Sequence, residues 1–300
     1  MIERIEKPRP APYSDEPARG WLPWGALTPF LTIVFVVIPV LATLAPMEAM
    51  GLVDGWGDPI GGARGLIAFL LPPFALTGLL VLGWVRFVER RPLATIGLTR
   101  PGGPRRFLLG LAIGVGTIFA VVAASWIAGA LDAAGYAPAF ASPAALGNIA
   151  FLLLAFAVQS SVEEILFRGW LLSVIARKFN IVAAVAVTSI VFAFLHFSPG
   201  QPWLVTLNIL LFSVFACCWA LKAGNIWGVM GWHAGWNWLL ATGFDLPVTG
   251  LDAGVPALLV RLVRVGPDWL TGGAQGPEGS IFCAVVLTAG IAFFARRRAS

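Results

Sequence analysis

Apolar and polar positions in this chain separate into long blocks instead of alternating. Eight apolar runs stand out, at residues 24–45, 65–85, 107–131, 146–166, 181–197, 204–221, 226–244 and 280–295. Their lengths are close to the ~20 residues a helix needs to cross a hydrocarbon core of about 30 Å. They lack period-two alternation, so the pattern predicts helices and not strands. The fold class expected is all-α, a polytopic membrane helical bundle of about eight transmembrane helices. Pro29 and Pro39 in the first run, and Pro72 with Pro73 in the second, predict kinks, because proline removes a backbone donor and clashes with the preceding turn. Neighbouring helices can satisfy the carbonyls so freed. No internal repeat and no soluble domain is visible. The division expected is a cytoplasmic polar tail at 1–23, one membrane domain at 24–295 and a basic cytoplasmic tail at 296–300.

The connections between runs set the orientation. Counted by connection, 17 of the 20 Lys and Arg residues fall on one side of the bundle, leaving Arg64, Arg261 and Arg264 on the other. That count takes Arg90, Arg91 and Arg168 as connection charges. The positive-inside rule then places both termini in the cytoplasm, which an even number of spans also requires. Residues 245–279 form the longest loop, on the outer side. Its stretch 255–265 reads either as an interfacial helix with Arg261 and Arg264 on one face or as a disordered loop. The first 20 residues are polar and proline-rich, unlike a secretory signal peptide.

Composition agrees with the block pattern. Hydrophobic residues make up 58% of the chain and charged residues 12%. A soluble domain carries roughly 25% charged residues, so most of this surface must face lipid. The bilayer is therefore the expected partner. The net charge of +5 sits in clusters between apolar runs and forms no basic stripe, so nucleic acid is not an expected partner. Cys217, Cys218 and Cys283 all lie in apolar runs and read as small hydrophobes. Abundant Arg, Ala and Gly hint at a GC-rich bacterium, which makes the bacterial cytoplasmic membrane the expected location.

Charged groups inside spans are costly and default to function. Glu163 and Glu164 close the fourth run, with Arg168 following. His196 closes the fifth, and His233 and Asn237 lie in the seventh. Glu164 and Arg168 are four apart with the acid first, the favourable order for an ion pair on one helix. Glu163 projects about 100° away from Glu164, free for another task. Phe192 with His196, and His233 with Asn237, each share a helix face. Residues 163 and 196 lie symmetrically about the connection 177–180, so a helical hairpin with its tip there brings them to one height. A break after Gly169 would remove that match. The plain alternatives are a helix-end salt bridge for the acids and interhelical hydrogen bonding for the histidines.

At these residues the chain resembles the CPBP family, the type II CAAX prenyl proteases and bacteriocin-processing enzymes also called Abi. Glu163 to Gly169 resembles an EExxxR motif with its FRG ending, Phe192 to His196 an FxxxH motif, and His233 to Asn237 an HxxxN motif. A weaker family-like element is Leu93 to Leu98. The resemblance implies a catalytic core at about 146–244 and an intramembrane endopeptidase acting on a membrane-associated protein or peptide. It implies that Glu163 activates water and that Glu164 and Arg168 brace it. Asn237, with His196 and His233, would hold the water or stabilise the oxyanion. Trp232, Trp236 and Trp238 either line the cavity or pack as an aromatic belt. No cofactor is favoured. The alternative is zinc on Glu163, His196 and His233, although no HExxH is present. A non-catalytic immunity or scaffold protein would be expected to lose one of these residues. A transporter would show repeated halves with broken helices. Oligomeric state has no signature here.

Overall fold

A computed structural model describes residues 11–99 and 101–296. Arg4, Lys7, Arg9, Arg100, Arg297 and Arg298, used above for orientation, lie outside the described residues. The described residues are 68% helical. The helices are α1 (Thr28–Ala49), α2 (Ala63–Leu70), α3 (Pro72–Gly83), α4 (Gly103–Ile127), α5 (Pro143–Glu164), α6 (Leu172–Lys178), α7 (Ile181–Leu195), α8 (Trp203–Ala223), α9 (Trp227–Gly243), α10 (Asp268–Thr271) and α11 (Ile281–Ala295). Each of the eight apolar runs contains a helix. Among the described residues, five helices are long and apolar enough to cross a membrane: Thr28–Ala49, Ala63–Val88, Gly103–Ile127, Pro143–Lys178 and Trp203–Ala223. The other three, α7, α9 and α11, have 15, 17 and 15 residues. At about 1.5 Å per residue they fall short of the ~30 Å core.

Several expectations need correction. The fold is not purely helical. Two strands, β1 (Leu131–Tyr136) and β2 (Val260–Arg264), pair antiparallel, with an irregularity between Ala133 and Gly135. The third run accordingly stops at Ile127, and Leu131 opens a strand. The stretch around Arg261 and Arg264 is neither interfacial helix nor loop. Val260 and Leu262 are buried while Arg261 is exposed, which is strand periodicity. Its hydrogen-bond partner lies more than 100 residues upstream and is invisible to local pattern. Two of the arginines counted as connection charges are buried instead: Arg91 pairs with Glu89, and Arg168 sits inside a helix.

Helix α5 does not stop at the glutamates. It continues through a π-helical segment, Ile165–Leu171, into α6, giving one rod to Lys178. No break follows Gly169. The chain turns at Phe179 and Asn180, where the Asn180 side chain caps α7 by accepting from the backbone N–H of Ala183. The hairpin tip therefore falls where the symmetry argument put it.

Glycines decide how α9 is held. Gly110 and Gly114 on α4 face Gly231 and Gly235 on α9. A methyl group at any of the four would collide with a backbone carbonyl of the opposite helix. This is small-xxx-small packing, in which missing side chains let two backbones touch. His233 lies two residues from each α9 glycine, about 200° around the helix. Clamping the glycine face against α4 therefore turns the His233 and Asn237 face toward α5.

The Leu93 to Leu98 element forms a 3₁₀ turn at Leu93–Ile96, ended by left-handed Gly97. Its Ile96 carbonyl lies against Gly169, and the Gly97 carbonyl accepts from the Ile226 N–H at the start of α9. It thus wedges between the π-helical segment and α9. From the N-terminal side, the Tyr13 hydroxyl donates to the Arg168 carbonyl at 2.7 Å. Glu89 accepts from the Trp84 and Trp170 indoles, tying the same rod to the segment before α4.

Candidate active site

Five of the six candidate residues form one buried cluster, and the sixth lines the same cavity. Glu164 and Arg168 are both fully buried, and their side chains meet at 3.0 Å along the rod. His233 Nδ1 lies 2.9 Å from the same Glu164 oxygen. A carboxylate can only accept, so Nδ1 carries the hydrogen and a neutral His233 presents Nε2 as an acceptor. That Nε2 faces Glu163 Oε2 at 3.8 Å, too far for a direct hydrogen bond. Glu163 Oε2 has no hydrogen-bond partner among the described residues.

His196 ends α7. Its Nδ1 lies 2.8 Å from the Phe192 carbonyl, which again places a hydrogen on Nδ1, so that a neutral ring would present Nε2 as acceptor. Phe192 stacks on the imidazole, with ring centroids 4.2 Å apart. The Arg168 guanidinium lies 4.5 Å from the Phe192 centroid on a cation–π path. The first motif therefore reaches the second through an aromatic ring. This gives the phenylalanine of FxxxH a physical role that spacing alone does not supply.

A cavity connects these groups. Glu163, His196, His233 and Asn237 line it, together with Phe192 and Phe212. Its volume is about 80 Å³. At the ~10–15 Å³ one water needs, that holds several. The residues 245–279 reach over one end, where Thr249, Gln275 and Glu278 join the lining.

The polar lining also includes residues that helical spacing alone does not pick out, among them Gln159, Asn208 and Glu278. Gln159 donates to Glu163 Oε1 at 2.7 Å, and its carbonyl accepts from Asn237 Nδ2 at 3.3 Å. It stands one helical turn before Glu163 in an apolar run, so a signal existed. Asn208, also in an apolar run, donates to the backbone carbonyls of Glu278 and Ser280. Glu278 had no such signal. Its carboxylate accepts from the Trp236 indole at 2.8 Å and from the Thr249 N–H and hydroxyl. Of the three tryptophans around the third motif, only Trp236 lines the cavity. Trp232 donates to Thr117 on α4, and Trp238 to the Ile149 carbonyl on α5.

The zinc alternative has a mixed fit. Both rings hold Nδ1 against an acceptor, as zinc-bound histidines commonly do with the nitrogen that does not bind the metal. Among the described residues, however, no three His, Cys, Asp or Glu side chains converge as a metal site. Glu163, His196 and His233 are therefore not assembled as a ligand set in this conformation.

No curated protein matches the chain. A family model does, and it covers the segment from the start of α5 to within α9 that carries all six candidate residues. Residues 145–239 match the family described as type II CAAX prenyl endopeptidase Rce1-like, which is consistent with the CPBP resemblance of the three motifs.

Proposed function

We propose that this chain is an intramembrane endopeptidase that hydrolyses a peptide bond in a membrane-associated protein or peptide, with Glu163 as the general base. The observation that carries the reading is the gap between Glu163 Oε2 and His233 Nε2. Two acceptors 3.8 Å apart at the wall of a cavity suit one water that donates a hydrogen to each. Glu163 takes one proton as the water oxygen attacks the scissile carbonyl. The tetrahedral oxyanion needs a donor. Asn237 retains a second amide N–H after bonding Gln159, and in this reading it supplies that donor, a contribution of about 3 kcal/mol in comparable sites. The proton on Glu163 then passes to the leaving nitrogen, the C–N bond breaks, and the products are a carboxylic acid and an amine. His196 presents a second acceptor to the substrate. Glu164 and Arg168 touch no reacting atom and hold His233 and Phe192 in place.

All eight apolar helices cross the bilayer in this reading, with both termini in the cytoplasm of a bacterial cell and residues 245–279 outside. The three short helices fit a bilayer that thins locally, or a site set below the membrane surface. Zinc is the second reading, favoured by the orientation of the two imidazoles alone. The direct test is proteomics of membrane fractions from a deletion strain carrying either the wild-type chain or Glu163→Ala. A fragment present only with the wild type identifies the substrate. Identical fragments in both strains would sink the glutamate-base mechanism.

A further inference from the structure

We infer that Gln159 is the positioning residue for the Glu163 carboxylate and for the Asn237 amide, a role that rests on the protease reading above. Gln159 lies outside all three motifs, yet it is the only side chain that hydrogen-bonds both Glu163 of the first and Asn237 of the third among the described residues. It is 6% exposed in the middle of an apolar helix, where a polar group must find partners inside the protein.

Hydrogen-bond polarity fixes the arrangement. A carboxylate only accepts, so the Gln159 amide must turn its NH₂ toward Glu163 Oε1. Its carbonyl then faces the other way, where it accepts from Ser160 Oγ at 3.0 Å and from Asn237 Nδ2. Asn237 must in turn point its NH₂, not its carbonyl, at Gln159. The donors run in one direction, from Asn237 through Gln159 to the acid.

Two consequences bear on the chemistry. Carboxylate torsions are broad, so a glutamate with no donor presents either oxygen over a range of angles. Gln159 occupies Oε1 and leaves Oε2 to face the cavity and His233. The same chain fixes how the Asn237 amide is turned, with its NH₂ on the Gln159 side. An error of about 1 Å in such a placement costs on the order of 100-fold in rate.

The test uses the purified full-length protein and a synthetic peptide spanning the bond cut by wild-type but not by Glu163→Ala membranes. Gln159→Met keeps the length of the side chain and removes both hydrogen bonds. Gln159→Glu keeps the shape and the acceptor toward Asn237 but removes the donor to Glu163. Both variants are expected to lose ~10- to 100-fold in kcat, and Gln159→Met to keep the wild-type KM and Tm. Should either fail to fold, Gln159→Asn gives the same split, because it retains the amide but withdraws it by one methylene. Wild-type kcat in a folded Gln159→Met protein overturns the inference. So does a loss seen only as lower Tm, which is what a packing role produces. If Glu163→Ala membranes cut the same proteins as wild type, the glutamate-base reading itself has failed, and this inference falls with it.

Discussion

His233 and Glu164 are joined at 2.9 Å through Nδ1, so the second glutamate of the first motif sets the tautomer of the histidine of the third. The sequence pairs Glu164 with Arg168 by helical spacing. In the folded chain the same carboxylate oxygen also receives the imidazole, at 3.0 Å from one partner and 2.9 Å from the other. Two adjacent glutamates thus divide the work: one faces a cation and an imidazole, and the other faces the cavity.

That division predicts opposite phenotypes for neighbouring residues. Glu164→Ala leaves the fully buried Arg168 without its carboxylate and His233 without its acceptor. Removing one member of a buried ion pair costs roughly 3–5 kcal/mol, so both Tm and activity should fall. Glu163→Ala removes a carboxylate whose partner is a glutamine, and should lose cleavage by about 100-fold or more at near wild-type Tm. Thermal unfolding in detergent, beside the cleavage assay, checks both. Equal Tm losses would contradict the assignment.

The glycine contact between α4 and α9 predicts a defect at a distance from the chemistry. Gly231→Val pushes a branched side chain into the Phe107 carbonyl and drives the helices apart. Overpacking of this kind costs about 1–3 kcal/mol, and the displacement carries His233 and Asn237 with it. Cleavage should fall well below wild type even where the variant is recovered folded. Gly116, with nothing near the position of an added methyl, is the control, and Gly116→Ala should be silent. Equal behaviour of the two variants would refute the clamp.

The topology predicts that single cysteines at the exposed positions 105 and 252, in a background lacking the three native ones, react from opposite sides of the membrane. An impermeant maleimide on intact cells should reach position 252 and not position 105. Labelling of both from one side would exclude the proposed arrangement of spans.

Metal dependence separates the two readings of the histidines. Without metal, purified protein carries no stoichiometric zinc and stays active after chelation and dialysis. His233→Gln then outperforms His233→Ala, because an amide can still donate to Glu164 and accept from water. With zinc, chelation inactivates, zinc restores, and both substitutions are equally inactive, because an amide is a poor zinc ligand. Elemental analysis showing one zinc per chain, together with zinc-restored activity, would reverse the preference.

The helical positions and the candidate chemistry were readable in the sequence because both obey local rules. A run of about 20 apolar residues announces a helix wherever it packs, and residues four apart share a face in any helix. The hairpin at Phe179 and Asn180 followed from the same arithmetic. Contacts made across the chain obey no such rule. The pairing of Leu131–Tyr136 with Val260–Arg264, the burial of Arg91 and Arg168, and the latch of Glu278 onto Trp236 each join residues that local pattern places in solvent or in unrelated segments. Gln159 stands between the two cases. Its polarity in an apolar helix was visible, but its role depends on which side chain α9 brings to its carbonyl, and that is settled by the backbone contact of α9 with α4. Sequence spacing determined which groups share a helix face, whereas only tertiary packing decided which faces meet, because helix–helix contact is set by side-chain volume at positions far apart in the chain.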